Sequence, residues 1–427
     1  MIDSEAFPRD QLLLMNLGQS FEESAKTADA LRLAISVGRD VTESLPGQAM
    51  LLSMINSASR SFLGGVHVAG DLRTPCLVAC STESSLRDAA TSLGARLEPA
   101  TADTPVIAVG NVETPAVGVW INVRGAVAGV STRFKGGYFD PSCFVPAAIL
   151  SGALAIARVF RFLALHRRDA LLLADASVDL LPGLGGEEIF AASVPTQLWV
   201  LGAGHLGQSF LWSLAAMHAS LEAFDVAVQD MQDGGFANIS TSLLTTSATL
   251  GKNKATFCSN WLNDRGAASR DVPEAFLPTT RVGAERTLVA GLHDLTTRML
   301  LEMSGARAIF DVGIGGRSDN FMRFATHVFP GPLLAETAFV PAGNDADLAY
   351  QEYLIASPAY QALATTSEQA CGLYNLASTA VGVSFVGLGV SAITLGLLAS
   401  QTLGGTPYKV TGDLFSGNVF TACLWET

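Results

Sequence analysis

A glycine turn between an apolar run and a helical pattern constrains this chain more than any other feature. Gly202, Gly204 and Gly207 form a G-x-G-x-x-G motif that follows QLWVL directly. The motif runs into HLGQSFLWSLAAMHA, whose apolar residues recur at helical spacing. In a strand–turn–helix unit the first glycine permits the tight turn, the second lets the backbone approach a phosphate, and the third lets helix and strand pack closely. The pattern therefore predicts a sheet–helix unit with an anion site at the helix N-terminus.

The rest of the chain alternates short apolar runs with helical segments, which is typical of α/β folds. Helices are predicted for residues 1–60, including ADALRLAISV, for SSLRDAATSLGA, which has a serine start and a glycine stop, for 143–165 and within 376–403. The runs that predict strands are GVHVAG, CLVAC, PVIAVG, VGVWINV and AVAGVS in the first half, and QLWVL, FDVAVQD, TLVAGL and AIFDVGI in the second. We expect two α/β halves, 1–190 and 191–427, joined by the turn-rich segment 181–188.

Composition narrows the partners and the compartment. Only 15% of the residues are charged and the net charge is −13, whereas nucleic-acid-binding proteins usually carry a basic face, so no nucleic-acid partner is expected. The six cysteines form no C-x-x-C pair, which predicts neither a structural zinc site nor a disulfide framework. No signal-peptide pattern opens the chain, and a reducing cytoplasm is the expected location.

One uncharged stretch, between Glu368 and Lys409, is long enough to span a membrane. It is rich in Gly, Ser and Thr and has no flanking basic cluster, which favours a buried helix. No membrane partner is expected.

Asp230 ends the strand after the glycine turn, where a carboxylate can accept hydrogen bonds from ribose hydroxyls. Up to this point NAD and ATP fit equally well. The segment that follows, DMQDGGFANISTSLLTTSATLGKNKA (230–255), resembles the ThiF/MoeB-like superfamily, which includes the activating enzymes of ubiquitin-like proteins. Their motif, D-x-D-x-V-x-x-S-N-L-x-R-Q followed by G-x-x-K-A, is matched without gaps by Asp230, Asn238 and Lys254.

The resemblance continues towards the C-terminus. In TLVAGLHDLTTRMLLEMSGARAIFDVGIGG (287–316), Asp294 falls on the acid that holds magnesium and triphosphate in that family, and Arg298 on a common helix arginine. Residues 370–405 resemble the return loop and closing helix, and Cys371 matches the catalytic cysteine of those relatives that form thioesters. The first half resembles a degenerate, inactive copy of the same fold.

The resemblance implies a Rossmann-like adenylation fold and the ATP-dependent activation of a ubiquitin-like protein that ends in glycine. The implied cofactors are ATP and Mg²⁺, with Gly202, Gly204, Gly207 and Asp230 on the nucleotide, Asn238 and Lys254 on the phosphates, Asp294 on the metal, and Cys371 as the thioester nucleophile. A conjugating enzyme and a role in bacterial antiphage conjugation are implied with it, as is a homodimer or an intrachain pseudo-dimer.

The sequence also departs from the motif. Gln232 stands where the family has its second acid, and Thr241 and Ser242 stand where it has Arg and Gln. Loss of one charge-assisted phosphate donor can cost ~10²–10³ in rate. Arg9, in FPRDQLLL, is a candidate replacement, because relatives supply such an arginine from a partner half. The alternatives are a catalytically weak or inactive ThiF-like binding protein, a peptide or sulfur-carrier adenylyltransferase, and an NAD(P)-dependent oxidoreductase.

Overall fold

Two mixed β-sheets form the framework of the protein. The computed structural model describes residues 7–112, 118–132, 137–165, 175–182, 193–340, 345–363, 367–404, 407–414, 416 and 418–422. Strands before residue 180 build one sheet and strands after residue 196 build the other. The expected boundary at 190/191 lies outside the described residues.

The first half begins with two short helices and continues as an α/β unit. Its helices are α1 (Arg9–Asn16), α2 (Phe21–Ala30), α3 (Arg39–Thr42), α4 (Leu45–Ala58), α5 (Leu86–Ser92) and α6 (Val145–Ala164). Its strands are β1 (Arg32–Val37), β2 (Gly65–Ala69), β3 (Ala95–Arg96), β4 (Val106–Val109), β5 (Gly118–Arg124), β6 (Val127–Ser131), β7 (Tyr138–Phe139) and β8 (Ala176–Asp179).

The second half repeats this plan with further helices. Its strands are β9 (Gln197–Leu201), β10 (Asp225–Gln229), β11 (Ala268–Val272), β12 (Thr287–Ala290), β13 (Ala308–Ile314), β14 (Arg323–Phe329), β15 (Lys409–Asp413) and β16 (Asn418–Ala422). Its helices are α7 (His205–Ala216), α8 (Lys254–Asn263), α9 (Leu295–Arg298), α10 (Ala335–Ala338), α11 (Asp345–Ile355), α12 (Pro358–Gln361), α13 (Ser367–Ala377) and α14 (Ser384–Thr402).

Both sheets share one strand order. Five parallel strands lie in the order β3-β2-β1-β4-β5 in the first half and β11-β10-β9-β12-β13 in the second. In each half the next strand, β6 or β14, is antiparallel. This is the doubly wound order with the first strand in the centre, so the predicted Rossmann-like α/β class is confirmed. The same topology in the first half agrees with its interpretation as a second copy of the fold.

Two local predictions were wrong. Residues 32–37, included in the predicted N-terminal helices, form the central strand β1, because a parallel strand buried on both faces carries a continuous apolar run that periodicity does not separate from a helix. The run CLVAC is not a strand. Its apolar side chains belong to a loop that packs on the other half, where the Ala79 N–H donates to the His218 carbonyl at 2.7 Å.

Four helices form the interface between the halves. The long apolar helices α6 and α14 pack on each other, α4 packs on α6, and α7 packs on α14. One core cluster of buried side chains runs through both halves. Among the described residues, α6 and α14 have the length and apolarity of membrane spans, and 83% of each such apolar window is buried inside the protein. The buried helix predicted between residues 368 and 409 is thus α14.

Candidate functional site

The glycine turn joins β9 to α7, and each of its glycines meets a different surrounding. Gly202 has φ +87°, a conformation that a residue with a side chain rarely adopts. A Cβ added at Gly207 would overlap the carbonyl oxygen of Gly202, so α7 can approach the turn closely only with glycine there. A Cβ at Gly204 would have no heavy atom within 4 Å. The open space beside Gly204 is where a ligand can approach the backbone.

Asp230 closes the far side of the turn. Its carboxylate accepts hydrogen bonds from the backbone N–H groups of Ala203 and Gln232, each at 2.8 Å. The first bond ties the end of β10 to the glycine turn after β9. Asp230 therefore lies at the position where the sequence predicts the ribose-binding carboxylate.

A cavity of about 840 Å³ opens next to the turn and contains most of the predicted phosphate-binding residues: Arg9, Gly204, Asn238 and Lys254. A neighbouring opening of about 310 Å³ is lined by Gly202, Asp230 and Asp294. The two openings share Gly204, Lys254 and Gly291, so they form one continuous depression at the carboxyl ends of the central strands. Ligands bind at this edge of an open α/β sheet.

Lys254 and Asn238 are held by their own neighbours. Lys254 is the first residue of α8, and its Nζ donates a hydrogen bond to Gln232 Oε1 at 3.0 Å. Asn238 lies in the 3-10 helix Phe236–Ser240, and its Oδ1 accepts from the Gly235 N–H at 2.9 Å. Gln232, a departure from the family motif, thus provides a neutral partner that keeps the lysine at the edge of the cavity.

Arg9 reaches the cavity from the other half. It begins α1, and its backbone N–H donates to Ser240 Oγ at 3.0 Å. Thr241, which stands where the family motif has arginine, lines the same cavity as Arg9. The candidate replacement arginine and the threonine that stands for the family arginine thus line one cavity.

Asp294 is engaged at the start of a short helix. It caps α9, where its carboxylate accepts from the N–H groups of Thr296 and Thr297 and from the Thr297 hydroxyl. These bonds lower its pKa, so the group is ionised at neutral pH. No cluster of three or more His, Cys, Asp or Glu suited to a metal occurs among the described residues. Asp294 thus presents one ionised carboxylate at the edge of the depression.

The sequence reasoning missed a buried ion pair next to the cavity. Arg298 lines the cavity, and its guanidinium binds both carboxylate oxygens of Asp311 on β13. Asp311 is fully buried, and His327 Nδ1 lies 3.5 Å from its carboxylate. The available signal was an aspartate in the middle of the apolar strand AIFDVGI, because a buried carboxylate requires a partner.

His205 connects the glycine turn to the loop that precedes α14. A Cβ added at Gly387 would lie 2.6 Å from the imidazole ring, so the ring packs directly on the first turn of α14. Burial lowers the His205 pKa to about 4, so the imidazole is neutral at physiological pH. His205 and Gly382 both line the cavity.

The structure describes the side chains of two candidate cysteines, but not that of Cys371. Cys371 lies within α13, and its side chain is outside the described part of the chain. Cys143 and Cys258 are buried, and burial raises the pKa of both thiols. A buried thiol with a raised pKa is a poor nucleophile at neutral pH.

In the first half, the sheet edge that corresponds to the glycine turn is occupied by the side chain of Asp40. The strand registers place Gly38 and Gly110 where the second half has Gly202 and Gly291, and Asp71 where it has Asp230. The Asp40 carboxylate lies against both glycines, since a Cβ added at either would collide with it, and it accepts a hydrogen bond from the Asn111 N–H at 3.2 Å. An internal carboxylate thus lies where the second half leaves space for a ligand.

Both halves of the chain match models of one protein family. A model described as the BilD N-terminal domain matches residues 32–173, and one described as the BilD C-terminal domain matches residues 194–405. "Bacterial E1-like protein BilD" of Collimonas sp. (strain OK412) is 29% identical over 424 residues, which cover 96% of this chain and 91% of that protein. The chain is a homologue of BilD. The C-terminal BilD match contains the glycine turn, Asp230, Lys254 and Cys371, whereas Arg9 precedes the N-terminal match.

A similarity to a solved structure is weaker. The structure of the microcin C7 biosynthetic enzyme MccB in complex with N-formylated MccA has a TM-score of 0.37 and 10% identity to this BilD homologue. The similarity covers 71% of this chain and 94% of that one.

Proposed function

We propose that this chain uses ATP to activate the C-terminal carboxylate of a ubiquitin-like protein and then holds that protein as a thioester on Cys371. The observation that carries the proposal is one depression lined by the glycine turn, Asn238, Lys254 and, from the opposite half, Arg9. Two cations and the glycine turn at the start of α7 line one cavity, and this combination suits a polyanion such as a triphosphate. The E1-like description of the Collimonas relative supports the same chemistry.

Each residue has a distinct task in the proposed adenylation. The glycine turn binds the nucleotide phosphates through its backbone, and the Asp230 carboxylate accepts hydrogen bonds from the ribose hydroxyls. Lys254 and Arg9 offset the charge of the triphosphate, and Asn238 orients it. Asp294 fits Mg²⁺, because this ion commonly takes one or two carboxylates and completes its octahedron with phosphate and water oxygens. When bound, Mg²⁺ supplies charge neutralisation on the phosphates.

The reaction consists of two displacements. A carboxylate oxygen of the ubiquitin-like protein attacks the α-phosphorus of ATP, the bond to the bridging oxygen of the β-phosphate breaks, and pyrophosphate leaves. The Cys371 thiolate then attacks the acyl carbon, and AMP leaves with the electron pair of the broken C–O bond. The proton of the thiol passes to the medium. The thioester is the form from which a conjugating enzyme accepts the modifier.

ATP–pyrophosphate exchange tests the first step. With a glycine-ending ubiquitin-like protein from a neighbouring gene, we expect exchange that requires ATP, Mg²⁺ and that protein. A truncated modifier that lacks the terminal glycine is the matched control and should give none. Exchange with a short peptide instead of the folded modifier would favour a peptide adenylyltransferase. A melting shift with NAD and none with ATP would favour an oxidoreductase.

A cysteine series tests the second step. Cys371→Ala is expected to support exchange and to form no thioester that thiol reagents can cleave. Cys76→Ala is the control, because Cys76 is a partly exposed thiol in the other half. A thioester that persists in Cys371→Ala would remove this residue from the mechanism, whereas exchange without a thioester in the wild type would limit the activity to adenylation.

The cellular role extends the proposal. An activating enzyme that passes a modifier to a conjugating enzyme in the cytoplasm of a bacterium would serve a conjugation system, and we propose that this system acts against phage. Plaque counts compare bacteria that produce the wild-type chain, the modifier and the conjugating enzyme with bacteria that produce Lys254→Ala in place of the wild-type chain. Equal phage resistance in the two strains would reject the antiphage role.

A further inference from the structure

A polar stripe on α4 joins the first half to the second half, including residues 239–245 of the candidate nucleotide site. Ser53, Asn56, Ser57 and Arg60 recur at helical spacing along α4 and the turn after it, and each makes a hydrogen bond to the second half. The Trp212 indole donates to Ser53 Oγ at 3.0 Å, and the hydroxyls of Ser57 and Ser384 lie 2.9 Å apart. The rest of α4 is mostly apolar, so these polar groups mark the face that contacts the other half.

Arg60 makes the most extensive contacts of the stripe. Its Nη1 donates to the carbonyl oxygens of Ile239 at 2.6 Å and Thr245 at 3.0 Å, and its Nη2 donates to that of Leu243 at 2.8 Å. The Asn56 amide oxygen accepts from Nε and Nη2, and the Asn56 amide nitrogen donates to the Leu243 carbonyl. Burial among these neutral acceptors lowers the pKa of Arg60 to about 10, so the guanidinium remains charged at neutral pH.

The segment held by Arg60, residues 239–245, is part of the candidate nucleotide site. Ile239 directly follows Asn238, and Thr241 lines the cavity. On the opposite side Gln208 of α7 accepts hydrogen bonds from the Leu244 N–H and the Thr245 hydroxyl and donates to the Ala203 carbonyl in the glycine turn. The segment is thus fixed between Arg60 of the first half and Gln208 of its own half.

We infer that Arg60 is a positioning residue of the nucleotide site, through which the degenerate half sets the orientation of Asn238 and of the peptide that follows it. The inference rests on the proposed function and extends it to a residue that does not touch the ligand. A planar guanidinium can serve three carbonyl oxygens at fixed angles, whereas a lysine ammonium of the same charge cannot reproduce that geometry. Displacement of a positioning group by about 1 Å can slow a group transfer by ~10²-fold.

Two arginine variants separate positioning from simple stability. Arg60→Lys keeps the positive charge and removes the planar guanidinium with its several N–H donors. Arg265→Lys is the matched control, because Arg265 is also a partly buried arginine that joins the halves: it donates to the Cys80 carbonyl at 3.2 Å and stacks on Trp261, and it does not line the cavity. Both variants should melt at lower temperature than the wild type. Arg60→Lys alone should lower kcat of ATP–pyrophosphate exchange and weaken MgATP binding, each by about tenfold or more.

Hydrogen exchange gives a readout that does not depend on catalysis. In Arg60→Lys the amides of residues 238–245 should exchange faster, whereas Arg265→Lys should leave them unchanged. Asn56→Ala removes the side chain that orients Arg60. It should raise the exchange rate of the same amides and weaken MgATP binding, each by less than Arg60→Lys does. This variant provides the test if Arg60→Lys does not fold. Equal exchange kinetics and equal MgATP affinity in Arg60→Lys and Arg265→Lys would overturn the inference.

Failure of the proposed function has a different signature. A wild-type chain that binds MgATP and adenylates no ubiquitin-like protein would reject that function, and the MgATP affinities of the two variants would still decide the role of Arg60. A wild-type chain that binds no MgATP would reject both.

Discussion

The Nζ of Lys254 and the Oε1 of Gln232 lie 3.0 Å apart at the edge of the cavity. Lys254 is 6% exposed, although it carries a full charge, and its partner is a neutral amide. A cation with only a neutral partner attracts an anion more strongly than one that a carboxylate already neutralises.

Removal of this ammonium should weaken phosphate binding and slow adenylation with little effect on folding. We expect Lys254→Ala to lower ATP–pyrophosphate exchange by ~10²-fold or more, the scale of losing one transition-state donor. Lys252→Ala is the control, because it makes the same charge change two residues earlier at an exposed position. Exchange rates of the two variants measure the difference, and equal rates would place Lys254 outside the reaction.

Arg9 should act on the rate of adenylation. It lines the same cavity as Thr241, which cannot supply the charge of the family arginine. Arg9→Ala is expected to lower kcat of exchange by roughly 10–10²-fold, on the scale of one charged donor. The control is Arg87→Ala on the exposed face of α5, which should behave as wild type. An unchanged kcat in Arg9→Ala would leave the missing arginine without a replacement.

The glycine turn predicts two opposite phenotypes. Gly207→Ala should destabilise the fold by about 1–3 kcal/mol or more, because the added methyl overlaps the Gly202 carbonyl oxygen. Gly204→Ala has room for its methyl in the free protein and should fold normally, with the methyl entering the space where the ligand approaches. Melting temperatures with and without MgATP distinguish the two. Wild-type ATP affinity in Gly204→Ala would show that the phosphates do not bind at this turn.

His205 predicts a loss of stability in acid. Burial lowers its pKa from the usual 6.5 to about 4, so between these values the unfolded chain binds a proton that the folded chain does not. Stability is then fully present above pH 6.5 and decreases as the pH falls towards 4, with a slope of at most about 1.4 kcal/mol per pH unit for this group. His205→Asn should flatten this part of the pH–stability curve measured by denaturant unfolding, and His67→Asn on β2 serves as the comparison.

The position of Asp40 predicts that each chain binds one nucleotide. Its carboxylate occupies the first-half edge that corresponds to the glycine turn, and a negative charge in that place repels phosphate. Isothermal titration should give a stoichiometry near one, and Lys254→Ala should remove that single site. A second site that survives in Lys254→Ala would show that the first half also binds nucleotide.

Local sequence patterns predicted the elements that carry their own signals. The helix after Ser85, the strands β9 and β10, and the glycine turn all follow from apolar spacing, caps and glycines. The strand β1 was mistaken for a helix, because burial on both faces removes the alternation that identifies a strand. The role of Arg60 has no local signal at all, since it depends on carbonyl groups about 180 residues away.

The site shows the same division. The family motif placed Asn238 and Lys254 at one cavity because their spacing after Asp230 is fixed by a single strand–loop–helix unit. The pairing of Arg298 with Asp311 requires two strands and a short helix to come together, which no run of residues encodes by itself. The reach of Arg9 into the opposite half likewise depends on how the two halves pack.

The shared helical layer has an evolutionary consequence. Because α4, α6, α7 and α14 bury their apolar surfaces against one another, deletion of either half would expose part of the core of the other half and promote aggregation. A half joined in this way is maintained for the interior it shares, whether or not it binds a ligand, and its surface is free to acquire new contacts.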